Sequence, residues 1–370
     1  ELLIKPGEKP VLVHEAFERE EAARTCCQLQ PNNRYSYYEL LKETSGDRTL
    51  VEARRIAHIL EDNSVTKGKV VLYGQMDMGK AYSTIRGVNQ FLPEIEFLAD
   101  WDESILFKAM TTKDEHELEQ IRSMGKITTS VVGKTADFLS QQIFRNNQLT
   151  KSNGDPVRIG EIKSLINRWL AEAGAENPEG TIFALGHDAG VPHSTGNNEE
   201  ILRGGETIVF DIFPCQTGGG YFFDFTRTWC LGYATDEVQL LHSQVKHVYD
   251  QLVSELKSGR LFRPYQIRTY DLFEAMGHPT NRSHPNTEDG YNHSIGHGLG
   301  LRVHEKPWSG DKADETDVLL PGAVFTIEPG LYYPDEGMGV RIEDTYCVNH
   351  KNQIELMAQY PYDLIIPVKS

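Results

Sequence analysis

Residues 204–226 read GGETIVFDIFPCQTGGGYFFDFT, and residues 321–345 read PGAVFTIEPGLYYPDEGMGVRIEDT. Each stretch has two strand-like arms around a turn-rich middle, with one carboxylate on each arm. These are Asp211 and Asp224 in the first stretch and Glu328 and Glu343 in the second. Such alternation interrupted by Gly, Pro, Asp and Thr predicts two β-hairpins. With turns centred on Thr217-Gly218 and Asp335-Glu336, each acidic pair stands directly opposed, where like charges destabilise a sheet. Charged residues in apolar strands are almost never buried alone. Two such pairs in one chain therefore predict a positive object between them, and a pair of divalent metal ions fits. The plainer alternatives are exposed edge-strand acids for the aspartates and an ion pair with Arg341 for Glu343.

Around the hairpins the order of elements repeats. A long helix from about Lys113 presents Leu118, Ile121 and Val131 on its inner side, opened by a capping box of Thr112 and Glu115. IGEIKSLINRWLAEA follows, with Ile162, Leu165, Ile166, Trp169 and Leu170 at helical spacing. Then come a histidine segment and the Asp hairpin. After Gly232 the pattern restarts with a helix entered through Thr235 and bearing Val238, Leu241, Val245, Val248 and Leu252. A shorter helix is opened by Pro264, and a second histidine segment and the Glu hairpin complete the order. Two half-domains related by approximate two-fold symmetry would bring the hairpins to one central site. Residues 148–157 and 281–292 read as surface loops. The first 110 residues alternate strand-like PVLVH, KVVLYG and IEFLAD with helical TLVEARRIAHILEDN, the pattern of a small α/β domain. Two domains are expected, 1–110 and 111–370.

Composition narrows the function classes. A chain of 370 residues with 39% hydrophobic and 25% charged residues can bury a sizeable core. Its 54 acidic against 37 basic side chains give a net charge of -17, which opposes binding to a phosphate backbone, so nucleic acid is not an expected partner. No apolar run reaches membrane-spanning length, so no membrane partner is expected. Five cysteines, with Cys26 and Cys27 adjacent, form neither a disulfide framework nor a zinc-type cluster; a reducing, cytoplasmic setting is the simpler reading. The chain opens at Glu1 within a strand-like run, without an initiator Met or a basic-apolar leader.

HSIGHGLGLRVHE supplies His293, His297 and His304. The glycines among them disfavour a helix, so turn and strand are expected. One imidazole added to four carboxylates makes an oxygen-rich site suited to Mn, Co, Fe or Zn. His193, in the loop GVPHSTGN, is a further candidate.

These motifs, Asp211 in a buried strand, Asp224 followed by FTRT, GHGLG, TIEPG and RIED, resemble the pita-bread metallopeptidases, the family of methionine aminopeptidase, Xaa-Pro aminopeptidase and Xaa-Pro dipeptidase. The resemblance spans roughly Thr111 to Val348. It implies an α+β pita-bread catalytic domain with pseudo-two-fold symmetry, preceded by a smaller creatinase-like domain. It also implies five ligands for two metal ions, Asp211, Asp224, His297, Glu328 and Glu343, with Asp224 and Glu343 bridging. His193, His293 and His304 match positions that contact substrate and the tetrahedral intermediate. His293 and Arg341 favour the proline-directed branch, with Arg341 either orienting Glu343 or meeting a substrate carboxylate. The expected activity is hydrolysis of the Xaa-Pro bond of dipeptides or short peptides, with Glu328 as general acid/base, in a homodimer. A metal-independent creatinase-like hydrolase and a non-catalytic binding module of the same fold are the rivals. The thirteen-residue Asp211–Asp224 spacing is longer than is usual in the family, and Phe213 stands near a position usually held by Gly.

Overall fold

The computed structural model describes residues 1–101 and 104–369, and the chain divides into two compact units, Glu1–Ser104 and Ile105–Ser370. In the first unit, strands Gly68–Leu72 and Ile95–Ala99 pair in parallel through helix Met78–Phe91. That helix is capped by Asp77, whose side chain accepts from the Lys80 amide. Helix Val51–Asp62 turns Ala53, Ala57 and Leu60 toward Val88 and Ile95, which makes the small core. Strands Leu2–Leu3, Val11–His14 and Gln28–Pro31 form a second sheet. The unit is α/β.

The second unit opens with helix Glu115–Ser140. Its capping box is Asp114 with Glu117, two residues beyond the pair expected from the sequence. The reason lies just before it. The Lys113 amide donates to the Gly322 carbonyl (2.8 Å), and the Lys113 ammonium is buried against Glu305, so the helix starts after these tertiary contacts. The helix then buries Leu118, Ile121 and Val131 as the periodicity requires. With helix Ile159–Glu172, which buries Ile162, Ile166 and Leu170, it covers a sheet ordered 204–205, 225–234, 207–212, 181–185. The second half repeats this plan. Helix Asp236–Glu255, capped by the Thr235 hydroxyl, and helix Arg263–Ala275 pack on a sheet ordered 305–308, 297–298, 324–327, 344–348, 354–356. Each half thus builds a core on its own helix pair, and Leu299, Val303, Val324 and Cys347 of the second half pack into the first core. The loop at 281–292 still sends Tyr291 into the second core, fully buried. Among the described residues no helix is long and apolar enough to cross a membrane.

The first hairpin differs in register from the reading above. Asp211 stands opposite Thr226 and Ile212 opposite Phe225, and Gly218 and Gly219 form the turn with φ of 85° and 84°. Two central residues at positive φ match the twist of a hairpin, and a β-branched Thr217 resists that conformation, so the turn moves one residue along. Asp211 and Asp224 become diagonal neighbours and not an opposed pair. The second hairpin keeps its expected register. Ile327 faces Asp344 and Gly330 faces Arg341, with Glu328 and Glu343 between these pairs.

The halves are stitched together beside these acids. The Thr226 and Glu343 backbones exchange hydrogen bonds of 3.4 and 3.1 Å. Thr228 exchanges two more with the Arg341 backbone, at 2.9 Å each, and the Thr345 hydroxyl donates to the Asp224 carbonyl at 2.7 Å. Arg227, 2% exposed, points the other way. It donates to the carbonyls of Thr226, Glu343, Tyr360 and Pro361 and to Asp344 at 2.8 Å, with Phe225 and Tyr362 flanking its guanidinium. Removing one partner of a buried ion pair typically costs about 3–5 kcal/mol. Arg227→Met is expected to lose about that much stability in urea unfolding, and adding Asp344→Asn should recover part of it by neutralising the stranded carboxylate. A loss below about 1 kcal/mol would show that the pair does not hold the seam.

Candidate metal centre

Strand 207–212 delivers Asp211, the segment leading into strand 225–234 delivers Asp224, and the junction between strands 338–341 and 344–348 delivers Glu343. Glu328 follows strand 324–327, where Pro329 keeps the backbone extended and the Glu328 amide donates to the Ile295 carbonyl (2.9 Å). His297 lies on the two-residue strand 297–298, threaded between strands 305–308 and 324–327. Its glycine neighbours are there for clearance. A Cβ on Gly296 would sit 2.0 Å from the Thr326 carbonyl oxygen, and one on Gly298 would sit 2.0 Å from that of Lys306.

These five side chains converge. One ligand atom each from Asp224, His297 and Glu343 lies within 4.8 Å of the others. His297 Nε2 is 3.6 Å from Asp224 Oδ2 and 3.5 Å from Glu328 Oε1. Its Nδ1 is 3.0 Å from the Gly298 carbonyl, a partner that takes the proton at Nδ1 and leaves the Nε2 lone pair facing the acids. Glu343 Oε2 accepts from the Thr226 hydroxyl (2.7 Å) and Asp211 Oδ2 from Arg341 Nη2 (2.7 Å). All five line one cavity of about 270 Å³, together with His193, His293, His304, Arg341 and Phe213.

Electrostatics set this cluster apart from a structural ion pair. Burial and the charges of Asp211 and Glu328 push the Asp224 carboxyl well above its ordinary value. Burial with Asp224 and Glu328 does the same to Glu343. Glu328 is pushed up to about 8, first by burial, with Asp211 adding to the shift and Arg341 opposing it. Two buried carboxylate oxygens, Asp211 Oδ1 and Glu343 Oε1, have no hydrogen-bond partner among the described residues. Orphaned acceptors, mutually repelling acids and an imidazole presenting a lone pair fit divalent cations.

The remaining candidates sit around this core. His304 packs on His297, ring centroids 4.3 Å apart. His293 has Nδ1 2.7 Å from the Ser294 carbonyl and Nε2 2.9 Å from the Tyr332 hydroxyl. Arg341 donates to Asp211, to the Tyr332 hydroxyl (2.8 Å), to the Pro192 carbonyl (3.2 Å) and to Thr226 Oγ1 (3.4 Å). Of the two roles left open for it, orienting Glu343 is not what its bonds do; it orients Asp211. Tyr332 and Thr226 were missed by the sequence reading. Thr226 was visible only as part of FTRT, and Tyr332 only as a tyrosine in a strand.

The profile of Metallopeptidase family M24 matches residues 119–350. The Xaa-Pro dipeptidase of Pyrococcus furiosus is 32% identical over 192 residues, 52% of this chain and 51% of that protein. That of Pyrococcus horikoshii is 32% identical over 206 residues, 55% and 54% respectively. The chain thus spans about half the length of these relatives. The structure of X-Pro aminopeptidase from Thermotoga maritima superposes with a TM-score of 0.73 at 22% identity, covering 98% of this chain and 89% of that one. Prolidase from Pyrococcus furiosus gives 0.70 at 20%, covering 97% and 90%. The fold is accordingly the α+β pita-bread architecture preceded by a smaller domain.

A carboxyl whose pKa is higher folded than unfolded stabilises the fold below its unfolded value, and the contribution is lost as pH rises through its folded value. Chelator-treated protein should therefore lose thermal stability as pH rises from the ordinary carboxylate range toward about 8, the value for Glu328. Adding a divalent cation should flatten that loss. Melting profiles at stepped pH with and without chelator test this, and identical profiles would contradict it.

Proposed function

Because the chain belongs to metallopeptidase family M24, we propose that it is a metal-dependent exopeptidase that hydrolyses the bond between an N-terminal residue and a following proline. The observation that carries the reading is the convergence of Asp224, His297 and Glu343 within 4.8 Å in a cavity that Asp211 and Glu328 also line. The names of the relatives, Xaa-Pro dipeptidase and X-Pro aminopeptidase, support the proline-directed choice.

In this reading the five side chains hold two divalent ions, which when bound supply Lewis acidity and lower the pKa of water toward neutrality. Everything else falls to the chain itself. Glu328, between His297 (3.5 Å) and His293 (3.8 Å), accepts the proton of the attacking water and returns it to the proline nitrogen as the C–N bond breaks. The proline nitrogen carries no N–H before cleavage, so the enzyme recognises it by shape, and Phe213, Ile182 and Val303 furnish an apolar wall. His304 and His193, on the same cavity, donate hydrogen bonds to the developing oxyanion or to the substrate. His293 is held against Tyr332, and Arg341 fixes Asp211. A homodimer belongs to the same proposal on the family resemblance, and a cytoplasmic setting on the cysteine usage.

Changes to groups that merely orient metal ligands cost about 10–100-fold, so Asp224→Asn, a change to a proposed ligand, should lower Xaa-Pro hydrolysis by more than about a hundredfold. Bound metal should fall with it. Free proline release and elemental analysis on the same preparations measure both. Full turnover by a metal-free variant would overturn the proposal, and stoichiometric metal with no hydrolysis of any Xaa-Pro peptide would favour a binding module.

A further inference from the structure

Resting on the Xaa-Pro reading, we propose that this chain acts on peptides that continue past the proline, and that Glu179 at the cavity mouth favours a cationic side chain on that continuing segment. An Xaa-Pro dipeptide ends in a carboxylate on the proline itself, and a site built for it needs a cation free to pair with that carboxylate. Among the described residues lining the cavity, Arg341 is the one Lys or Arg. Four of the five N–H groups of its guanidinium already serve Asp211, Tyr332, Pro192 and Thr226. Its side chain is only 4% exposed. Turning it toward substrate would break its 2.7 Å bond to the buried Asp211 carboxylate.

The mouth carries the opposite sign. Glu179 lines the cavity yet is exposed, and among the described residues it makes no hydrogen bond or ion pair. An exopeptidase takes the N-terminal residue into the closed end and lets the remainder of the peptide leave through the opening, so Glu179 meets the part beyond proline. A terminal carboxylate there faces an acid and, among the described residues lining the cavity, no Lys or Arg other than the committed Arg341. An amide-linked continuation carries no such charge, and a lysine or arginine on it gains a partner. Among the described residues two ammonium groups act on cavity residues without lining the cavity, and one is Lys163, which donates to the Thr195 carbonyl; the other is Lys312. Its charge bears on His304, but it lies outside the cavity wall, with Nζ 5.5 Å from the Trp308 ring centroid.

The test compares kcat/KM of the metal-loaded full chain on Ala-Pro, Ala-Pro-amide, Ala-Pro-Ala, Ala-Pro-Lys and Ala-Pro-Glu. A missing charge-assisted partner corresponds to roughly tenfold or more, so Ala-Pro-Ala should exceed Ala-Pro by about that factor and the amide should recover most of it. An exposed ion pair corresponds to about 2–5-fold, the expected preference for Ala-Pro-Lys over Ala-Pro-Glu, and Glu179→Gln should close that gap. Equal or better turnover of Ala-Pro, or a Lys312→Ala variant that raises KM for Ala-Pro alone, would overturn the proposal. An unchanged Lys/Glu preference in Glu179→Gln would remove Glu179 from it. Failure to hydrolyse any of the five peptides is a different result and would overturn the peptidase reading itself.

Discussion

The reciprocal backbone pairing of Thr226 with Glu343 joins the two half-domains beside the acids. Asp224 lies two residues before Thr226, and Glu343 is itself one of the pair, so the seam sets the separation of the two acids. Hydroxyls of Thr226, Thr228 and Thr345 tie each side to the other, and Arg227 closes the far side of the seam against Asp344. A slip of one residue at this junction would turn the alternating side chains to the opposite face. The threonines would leave the seam and Glu343 would leave the cavity. Placement of the candidate ligands is therefore a property of the junction between the halves, with each hairpin supplying only its own share.

Holding four carboxylates at one place works against the fold, since each is removed from water beside others of the same sign. Arg341 pairs directly with Asp211 and only partly offsets the charge of the other three. Asp224, Glu328 and Glu343 keep raised pKa values because they are buried beside other carboxylates. Such local conflict is expected at functional sites, where stability from the surrounding core offsets it. Here much of that core comes from helices 115–140, 159–172 and 236–255, whose buried apolar residues recur at helical spacing. The cavity between the hairpins stays polar in charge and apolar in one wall, the combination that a peptide carbonyl next to a proline ring calls for.

Much of this was legible in the chain. Helices 159–172 and 236–255 follow their apolar spacing, and the second hairpin has the register that its turn at 334–337 implies, with Gly337 at φ 66°. The first hairpin shows where local reading stops. Thr217-Gly218 and Gly218-Gly219 are both plausible turn centres, and only the positive φ needed at both positions decides between them. The capping box moved by two residues for a different reason, because Lys113 is drawn into contacts with Gly322 and Glu305 far along the chain. Tyr332 carried no local signal at all. It matters because its hydroxyl lies between His293 and Arg341, and neither the spacing nor the residue type announces that.

From the amino-acid order alone came the two half-domains, the strand placement of the acids, and the set of ligand types that a divalent cation would take. Those follow from periodicity and from the rarity of unpartnered charge in apolar strands, which are local properties. Tertiary structure decided which side chains meet: that Arg341 bonds to Asp211, that Thr226 steadies Glu343, and that Glu179 is exposed where it lines the cavity. These contacts join residues more than a hundred positions apart or depend on the shape of the opening. They are set by how the two half-domains dock, a long-range choice that no short window of sequence contains.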